Sequence, residues 1–318
     1  MKTLIITNKY DQSTCDVIDW LRYYNKEHIV LIDETEYSLV KIDMNSSYTL
    51  KINDCILNSN EISSIWFRRG GLHLEPIEII ESSDKSISAS FCHYYNVASE
   101  VLDGFIQNSF LRQKSINNQK YQSVNKLEAL HTAKEHGIKV PKTIVTTKKS
   151  VLKDFISKYK NVITKDLTDG IGFRTNDWHI YAYTEILTPD LYNSLTNDFA
   201  PSLFQELIDK KFEIRTFFLL DTFYSMAIFS QSNAQTCVDY RHYDKNRPNR
   251  CIPFKIPNNI ENKLKSVLLK LNLNSASIDL IYSKQKEFVF LEINPIGQFG
   301  MVSYPCNYQI EKLIAKYL

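Results

Sequence analysis

Glycine is scarce in this sequence, with only eight in 318 residues. Half of them fall in two short segments, where Gly170 accompanies Gly172 and Gly297 accompanies Gly300. Glycine allows backbone conformations and close approaches that other residues do not. We therefore interpret the two clusters as places where the backbone bends or comes close to a ligand.

Paired cysteines are also missing. None of the six forms a C-x-x-C pair, and no cysteine or histidine run has the spacing of a zinc site: Cys15, Cys55, Cys92, Cys237, Cys251 and Cys306. A structural zinc and a disulfide framework are both disfavoured by this scatter. Free thiols are typical of a reducing compartment, so the sequence predicts a cytoplasmic protein.

Long apolar runs and an excess of one charge are absent as well. The apolar run Leu4-Ile5-Ile6 is too short for a signal peptide, and no stretch approaches the ~20 residues that span a bilayer. The net charge is +2, from 38 basic and 36 acidic residues. These features predict a soluble protein whose partners include neither a membrane nor nucleic acid bound through bulk charge.

The chain is long enough for two or three lobes. Strands and helices alternate through residues 1–117, which predicts an open α/β lobe. Residues 118–200 predict a compact central lobe, opening with a helix capped by Ser123, and residues 201–318 a strand-rich lobe closing with a helix from Pro305. The expected fold class is a mixed one, α/β in the broad sense that includes α+β.

The segment FLEINPIGQFG ends a predicted strand with two polar side chains. Because side chains alternate along a strand, Glu292 and Asn294 should share one face while Leu291 and Ile293 share the other. The plain interpretation is a solvated strand end entering an Asn-Pro turn. The alternative is a pair of oxygen ligands for a hard cation.

The preceding predicted strand, SASIDLIYS, supplies a third oxygen donor. If the hairpin turns about Gln285 and Lys286, Asp279 lies directly opposite Glu292, with Cβ atoms about 5 Å apart. Adjacent carboxylates repel unless a cation or proton lies between them. Mg²⁺ prefers one or two carboxylates completed by phosphate and water, so the pattern predicts a site for magnesium and a nucleotide.

Candidate phosphate-binding residues precede this region. Lys165 ends the strand NVITKDL beside the loop DGIG, and Lys126 lies in the first turn of a predicted helix. The plain interpretation of each lysine is solvated surface. The DGIG loop alone is a weak signal, because most short glycine loops are turns.

The segment QELIDKKFEIRTFFL adds a strand end and a second strand. Free backbone groups over Gln205–Ile208 could pair with an adenine edge, and Glu213 and Arg215 share a face of the next strand. An ordinary surface ion pair is the alternative for these two. Asp239 and Arg241 lie in a polar stretch whose plain interpretation is a solvated loop, although arginine commonly clamps phosphoryl oxygens.

With these residues in place, the sequence resembles the ATP-grasp ligases from about Asn125 to Tyr304. NKLEAL, ITKDL with DGIG, QELI with EIRTFFL, VDYR, and SIDLIY with FVFLEINPIGQFG resemble the successive nucleotide-binding segments of that family. SIWFRRG, EINPIGQFG and the tail SYPCNYQIEKLIAKYL resemble the peptide-maturing branch, which includes the microviridin-type graspetide ligases and the grasp-with-spasm maturases.

The resemblance implies an ATP-grasp fold whose central and C-terminal lobes enclose a nucleotide cleft, with ATP and Mg²⁺ as cofactors. It also implies a role for each candidate residue. The ATP-binding residues would be Lys126, Lys165, Gly170, Gly172, Gln205, Glu206, Ile208 and Glu213. The metal ligands would be Asp279, Glu292 and Asn294, while Arg215 and Arg241 would stabilise the transferred phosphoryl group.

Two features depart from the family pattern. The flap is the short TDGIG, and the last strand ends in GQFG rather than GQW, which favours the grasp-with-spasm side. Arg68 and Arg69 resemble a paired-arginine feature of that branch, and their plain interpretation is a solvated strand end. The seven histidines lack partners in sequence and are interpreted as structural.

The function implied is an ATP-dependent peptide ligase that closes ester or amide cross-links between side chains of a ribosomally made precursor peptide with a leader and an acidic, Ser/Thr-containing core. A radical-SAM SPASM protein in the same pathway and a homodimeric state are further implications of the resemblance. Two alternatives remain open from the residues: a ligase that adds glutamate-like residues to a peptide tail, and a nucleotide-binding peptide scaffold without activity.

Overall fold

The computed structural model describes residues 1–43, 47–77, 85–168 and 183–318, with the backbone of residues 172–174 and 179–181. The chain divides into two compact units: unit 1 is Met1–Ser123, Gln298–Ser303 and Gln309–Leu318, and unit 2 is Val124–Gly297 and Tyr304–Tyr308. The described helices are α1 (Gln12–Tyr23), α2 (Lys85–Leu111), α3 (Lys126–Glu135), α4 (Lys149–Lys158), α5 (Pro189–Ser194), α6 (Asn258–Lys270), α7 (Gly300–Cys306) and α8 (Ile310–Tyr317). The described strands are β1 (Lys2–Thr7), β2 (His28–Ile32), β3 (Glu34–Ile42), β4 (Tyr48–Ile52), β5 (Cys55–Asn58), β6 (Ile62–Phe67), β7 (Gly71–Leu74), β8 (Lys114–Ile116), β9 (Thr143–Lys148), β10 (Val162–Lys165), β11 (Gly172–Arg174), β12 (His179–Tyr181), β13 (Glu185–Ile186), β14 (Asp198–Glu206), β15 (Lys210–Leu219), β16 (Thr222–Phe229), β17 (Arg250–Phe254), β18 (Ser275–Ser283) and β19 (Phe288–Asn294).

Unit 1 contains two four-stranded sheets. The first is a parallel sheet in the order β2-β1-β6-β8. Its central strand β1 is apolar from Leu4 to Ile6, and all three of these side chains are fully buried, as expected for a parallel strand covered on both faces. The second sheet has the order β5-β4-β3-β7. Strands β2 to β7 follow one another between α1 and α2, so the alternation predicted for this region is wrong, although the predicted mixture of strands and helices is present.

The smaller sheet of unit 2 is antiparallel, in the order β13-β10-β14-β9. Its core is formed by Leu152, Phe155, Val162 and Phe204, which places the apolar face of α4 against the sheet. Helix α5 begins at Pro189, because the Thr188 hydroxyl accepts the N–H of Leu191 at 3.2 Å and proline suits the first helical position.

The larger sheet of unit 2 has the antiparallel order β17-β16-β15-β18-β19. Strands β15 and β18 are central and almost wholly buried. Polar side chains on such strands must find partners inside the protein, so the residues that this sheet presents to the cleft are held in fixed positions.

Two predicted helix boundaries are wrong. Helix α3 is capped by Asn125 rather than Ser123: the Asn125 side chain accepts the N–H groups of Leu127 at 2.9 Å and Glu128 at 3.2 Å. Asparagine caps at least as well as serine, and it lies next to the first helical residue. The closing helix does not begin at Pro305, which lies near the end of α7; α8 follows as a separate helix.

Among the described residues, no helix is both long enough and apolar enough to cross a membrane. The division into lobes at residues 117 and 200 stays a prediction.

Candidate active site

Three neighbouring strands of the larger sheet bring Arg215, Asp279 and Glu292 into one row. Arg215 on β15 is paired with Asp279 on β18, and Asp279 is paired with Glu292 on β19. Directly opposed residues of an antiparallel sheet have their side chains on the same face. The predicted opposition of the two carboxylates is therefore present.

The hairpin that joins β18 to β19 differs from the predicted one in its loop length and in a bulge. The loop contains three residues, 284–286, closed by the Ser283 N–H donating to the Glu287 carbonyl at 3.0 Å, with Lys286 at φ 64°. A bulge at Leu291 then shifts the pairing by one residue, so that Leu280 faces Phe290 while Asp279 faces Glu292. The predicted two-residue turn is wrong. The prediction for Leu291 is wrong as well, since it lines the same cleft as Glu292.

Arg215 and Asp279 form a buried ion pair. The Arg215 Nη1 atom lies 3.2 and 3.0 Å from the two Asp279 oxygens and 2.7 Å from the Tyr240 hydroxyl. Burial raises the pKa of Asp279 to about 6, although Arg215 acts in the opposite direction. Removing a carboxylate from water disfavours its charged form. A further cation next to Asp279 would therefore stabilise its ionised carboxylate.

Glu292 faces two lysines. Its Oε2 atom lies 3.8 Å from Lys165 Nζ and 4.0 Å from Lys126 Nζ. Burial alone would raise the pKa of Glu292, but Lys165 and then Lys126 hold it below its usual value. Burial also lowers the pKa of Lys165. Both distances exceed a hydrogen bond, so neither lysine is tightly engaged by Glu292.

Lys126 has a second contact, as its ammonium donates to the carbonyl oxygen of Thr168. Gly170, the first glycine of the predicted phosphate loop, lies outside the described residues. Gly172 is the first residue of β11, which pairs with β12.

Asn294 completes the predicted donor set. It pairs with Ser277 across β18 and β19, and no described residue makes a side-chain hydrogen bond to its amide. Two opposed carboxylates and one amide oxygen have the oxygen chemistry that Mg²⁺ requires. Among the described residues, no group of three or more His, Cys, Asp or Glu side chains could hold a metal ion, and the third oxygen donor of this set is an amide. The residues therefore fit a magnesium ion completed by phosphate and water.

The end of β14 forms another wall of the cleft. Gln205 donates through Nε2 to the Thr143 hydroxyl at 2.9 Å, and the Glu206 carboxylate accepts the Lys142 N–H at 2.9 Å. These bonds hold both side chains in place. Among the described residues, no acceptor receives the backbone N–H of Ile208, which leaves a donor for the edge of a purine.

Glu213 is already engaged within the protein. Its Oε1 atom lies 2.5 Å from Lys210 Nζ, and its Oε2 atom accepts the Ser230 hydroxyl. Lys210 also donates to the carbonyl of Val238 at 2.9 Å. Burial raises the pKa of Glu213, against the influence of Lys210. A ribose hydroxyl would have to share or replace these partners.

Asp239 fixes the orientation of Arg241. Arg241 donates through Nε at 2.9 Å and through Nη2 at 2.6 Å, and the Thr184 N–H donates to the same carboxylate at 3.2 Å. Burial would raise the pKa of Asp239, but the hydrogen bonds from Arg241 lower it to about 2. Asp239 is only 5% exposed, so the predicted solvated loop is wrong for this residue.

The predicted residues lie at different depths of the cleft. Those that line it are Lys165, Gln205, Glu206, Ile208, Glu213, Arg241, Asp279 and Glu292. Arg215 lies behind Asp279, and Lys126 approaches through its contact with Glu292. Asn294 is next to the cleft through its place on β19.

Among the lining residues that sequence patterns missed are Lys210, Tyr240 and Leu291. Lys210 and Glu213 are three apart, which would place them on opposite faces of a regular strand, but an irregularity between Lys210 and Phe212 brings them together. Tyr240 lies outside the helices and strands, in a segment whose apolar residues show no helical or strand periodicity. Leu291 reaches the cleft through a bulge. The only usable signal was the closeness of Tyr240 to Asp239 and Arg241.

Comparison with known proteins shows the fold. The solved structure of the macrocyclase MdnC bound with precursor peptide MdnA, from Microcystis aeruginosa MRC, is 23% identical, with a TM-score of 0.75, over 100% of this chain and 99% of that one. A Chryseobacterium gregarium RiPP-associated ATP-grasp ligase, solved with ADP and a leader and core peptide, is 24% identical, with a TM-score of 0.77, over 100% and 95% of the two chains.

A more distant structure agrees with these two. The ATP-grasp ligase PsnB complexed with minimal precursor, Mg and ADP is 14% identical, with a TM-score of 0.68, over 99% and 96% of the two chains. No protein-family model and no curated protein matches the chain. The structural likeness extends over the whole chain, so the chain has the ATP-grasp fold that the sequence resemblance implied.

Proposed function

We propose that this ATP-grasp chain is an ADP-forming peptide ligase that closes cross-links between side chains of a ribosomally made precursor peptide. An Asp or Glu carboxylate of the peptide attacks the γ-phosphorus of ATP, ADP leaves, and an acyl phosphate remains. A Ser or Thr hydroxyl or a Lys amine of the same peptide then attacks the acyl carbon. The bond between the acyl carbon and the phosphate-bearing oxygen breaks, phosphate leaves with that oxygen and takes up the proton lost by the hydroxyl or amine, and an ester or amide is formed.

One observation carries the nucleotide part of this proposal: the row Arg215–Asp279–Glu292, with Lys165 and Lys126 facing its acidic end. Glu292 holds neither lysine at hydrogen-bond distance. Two opposed carboxylates beside such lysines are better suited to bind a metal-bound triphosphate than to form a closed network of ion pairs. Asp279, Glu292 and Asn294 would hold Mg²⁺, which would neutralise charge on the phosphates. Lys165 and Lys126 would bind phosphate oxygens.

The two arginines supply electrostatic stabilisation. Arg215 is held by Asp279 and Tyr240, and Arg241 is held along one edge by Asp239, so neither guanidinium has to be ordered during the reaction. Preorganised donors aimed at developing charge are a large part of phosphoryl-transfer catalysis. We assign Arg241, whose side chain is 46% exposed, to the transferred group, and Arg215 to the metal-side carboxylate and the phosphates.

The peptide part of the proposal is supported by the neighbours. MdnC was solved with a precursor peptide, and the Chryseobacterium enzyme with ADP, leader and core peptides. These likenesses cover nearly the full length of both chains. We propose a peptide with a leader and an acidic core that contains Ser, Thr or Lys as the substrate of this chain as well.

Mass spectrometry tests the proposal. Purified protein with ATP, Mg²⁺ and the acidic peptide encoded beside its gene should release ADP and lower the peptide mass by one water for each cross-link. A mass increase by a whole amino acid would instead identify a ligase that extends peptide tails. Peptide and nucleotide binding without any mass change or ADP release would identify a scaffold. The Glu292→Gln variant is the negative control.

We further propose a homodimer formed through α2. One face of this helix carries apolar side chains four, three, three and four residues apart, and each is at least 45% exposed: Ile87, Phe91, Tyr94, Val97 and Val101. Such spacing places them in one stripe, and a continuous apolar stripe is typical of an interface. Light scattering should show a dimer that Phe91→Glu converts to a monomer, whereas Leu269→Glu, at a more exposed apolar residue of α6, leaves it intact.

The remaining expectations concern the cell. We place the enzyme in the cytoplasm, where its six free cysteines would stay reduced. We also propose a radical-SAM SPASM protein as a pathway partner, which rests on the family resemblance of the tail. A gene for such a protein next to a short Thr-, Asp- and Glu-rich peptide gene would support it, and a neighbourhood lacking both genes would remove it.

A further inference from the structure

The parallel sheet of unit 1 has a reversal of strand order that the proposed function does not use. From β1 the chain passes to β2 on one side, and later strands lie on the other side, in the order β2-β1-β6-β8. Ligands of open parallel sheets bind at the carboxyl ends of strands where the order reverses in this way. Here those ends belong to β1, followed by Asp11, and β6, followed by Arg68 and Arg69.

Asp11 is held by α1 and Arg68. Its Oδ1 atom accepts the N–H of Ser13 at 3.0 Å as the helix cap, and its Oδ2 atom lies 2.9 Å from Arg68 Nε. Arg68 is only 2% exposed, and its guanidinium lies 5.9 Å from the ring centre of Phe299. The interpretation of Arg68 as part of a solvated strand end is therefore wrong: it is a buried, oriented cation.

Arg69 is in a different state. Its side chain is 34% exposed, and its Nε lies 3.8 Å from Asp11 Oδ2, beyond hydrogen-bond distance. That Nε is itself buried and donates no hydrogen bond to any described residue. A buried charged donor without an acceptor is costly, and Asp11 is already shared between a helix cap and Arg68.

The backbone keeps Arg69 in this position. Gly70 has φ +76°, and a Cβ on it would lie 2.4 Å from the carbonyl oxygen of Asp33, so only glycine fits the turn after the arginine pair. The Asp33 side chain accepts the N–H of Lys9 at 2.9 Å through Oδ1, and the ion pair of Arg69 among the described residues is with Asp11 rather than Asp33.

We propose that Arg69, supported by Arg68, is a carboxylate-binding site of unit 1, and that its ligand is an Asp or Glu side chain of an acidic peptide. The assignment of the peptide as ligand rests on the proposed function. A guanidinium binds a planar carboxylate through parallel hydrogen bonds. One carboxylate matches the single positive charge left by two arginines and Asp11, whereas a phosphate dianion would exceed it.

Calorimetry on the full-length protein without nucleotide tests the site. The probes are a synthetic Thr-, Asp- and Glu-rich peptide, its Asn and Gln counterpart, sodium acetate and inorganic phosphate. Arg69→Gln should weaken binding of the acidic peptide about tenfold, the loss expected for one charged hydrogen bond, and should not change binding of the amide peptide. The control is Arg22→Gln, an exposed arginine of α1 paired with Asp19.

Three results would overturn the proposal. Arg69→Gln with wild-type affinity for the acidic peptide would remove Arg69 from the site. Equal affinity for the acidic and amide peptides would exclude a carboxylate ligand. Phosphate that binds more tightly than acetate, with a loss in Arg69→Gln, would make this a phosphate site.

Asp11→Asn provides a test of opposite sign. Asparagine can still cap α1, but it removes the internal carboxylate, so the acidic peptide should bind several-fold more tightly and acetate should raise the melting temperature more than in wild type. If neither occurs, the arginines form a structural ion pair only. Misfolding could not explain the expected result, because Asp11→Asn should bind the acidic peptide more tightly rather than less.

Separate readouts distinguish the site from the proposed function. Arg69→Gln should bind Mg·ADP like wild type, because its substitution lies in unit 1 and the nucleotide residues lie in unit 2. Cross-linking with an unchanged peptide KM in Arg69→Gln would sink the site and leave the function standing. Arg69-dependent binding of an acidic peptide that is never modified would leave the site standing and sink the function.

Discussion

Two aspartate–arginine pairs of unit 2 use the same chemistry and have opposite electrostatics. Asp239 receives hydrogen bonds from Arg241 and the Thr184 backbone, and its pKa falls to about 2. Asp279 faces Arg215 but also lies beside the Glu292 carboxylate, and desolvation together with Glu292 raises its pKa to about 6. The first carboxylate is fully satisfied by protein donors. The second carries an uncompensated demand for positive charge, which marks it as a place for a cation.

The largest expected effect tests the demand for a cation beside Asp279. Glu292→Gln should lower cross-linking turnover by about 1,000-fold while the circular dichroism spectrum and melting temperature stay close to wild type, because one neutral oxygen cannot replace a carboxylate ligand. The matched control is Glu287→Gln, a surface partner of Lys139 in the same hairpin, which should keep full turnover. Wild-type turnover in Glu292→Gln would remove Glu292 from the metal site.

The next test disturbs the satisfied pair. Arg241→Lys keeps the charge but loses the two-nitrogen contact with Asp239, so kcat should fall by about 10- to 100-fold. The melting temperature should also fall, by less than in Asp239→Asn, because the buried Asp239 carboxylate loses one hydrogen bond but keeps a positive partner. Arg247→Lys, in the same segment but away from Asp239, is the control. Equal kcat values for the two variants would contradict a role for an oriented guanidinium.

Stability measurements compare the two aspartates directly. The pKa of Asp239 falls from 3.8 to about 2, which corresponds to about 2 kcal/mol of unfolding free energy. Because the folded-state value is the lower one, this contribution is complete above about pH 4 and is lost as pH falls towards 2.

Asp239→Asn should therefore unfold about 2 kcal/mol more easily than wild type at pH 7, and the difference should shrink below pH 4. Asp279→Asn should cost less, because burial already disfavours the Asp279 carboxylate. Urea denaturation of the three proteins at several pH values measures both effects. A larger loss in Asp279→Asn than in Asp239→Asn would reverse the comparison.

The smallest expected effect concerns Tyr240. Tyr240→Phe removes the 2.7 Å hydrogen bond with Arg215, which should cost about 1 kcal/mol of unfolding free energy and a several-fold loss of kcat. Tyr243→Phe, at a 60% exposed tyrosine three residues away, should change neither quantity. Identical behaviour of the two variants would show that Arg215 needs no support beyond Asp279.

Local sequence patterns predicted the elements of the site better than its contacts. Residue alternation along β19 correctly placed Glu292 and Asn294 on one face, and the spacing of the two strands placed Asp279 opposite Glu292. The turn was nevertheless wrong, because a three-residue loop and a bulge at Leu291 compensate for each other. A bulge depends on packing against neighbouring strands, which a single strand's sequence does not record.

The sequence by itself determined the mixture of strands and helices, the α/β class and the acidic and basic side chains available for a metal-bound nucleotide, because backbone periodicity and residue chemistry are local properties. Tertiary structure decided which charges are satisfied. The burial of Arg68 beside Asp11 and the raised pKa of Asp279 beside Arg215 and Glu292 depend on groups far apart in the chain. Desolvation and Coulomb energy depend on distance in space, and only the folded chain fixes those distances.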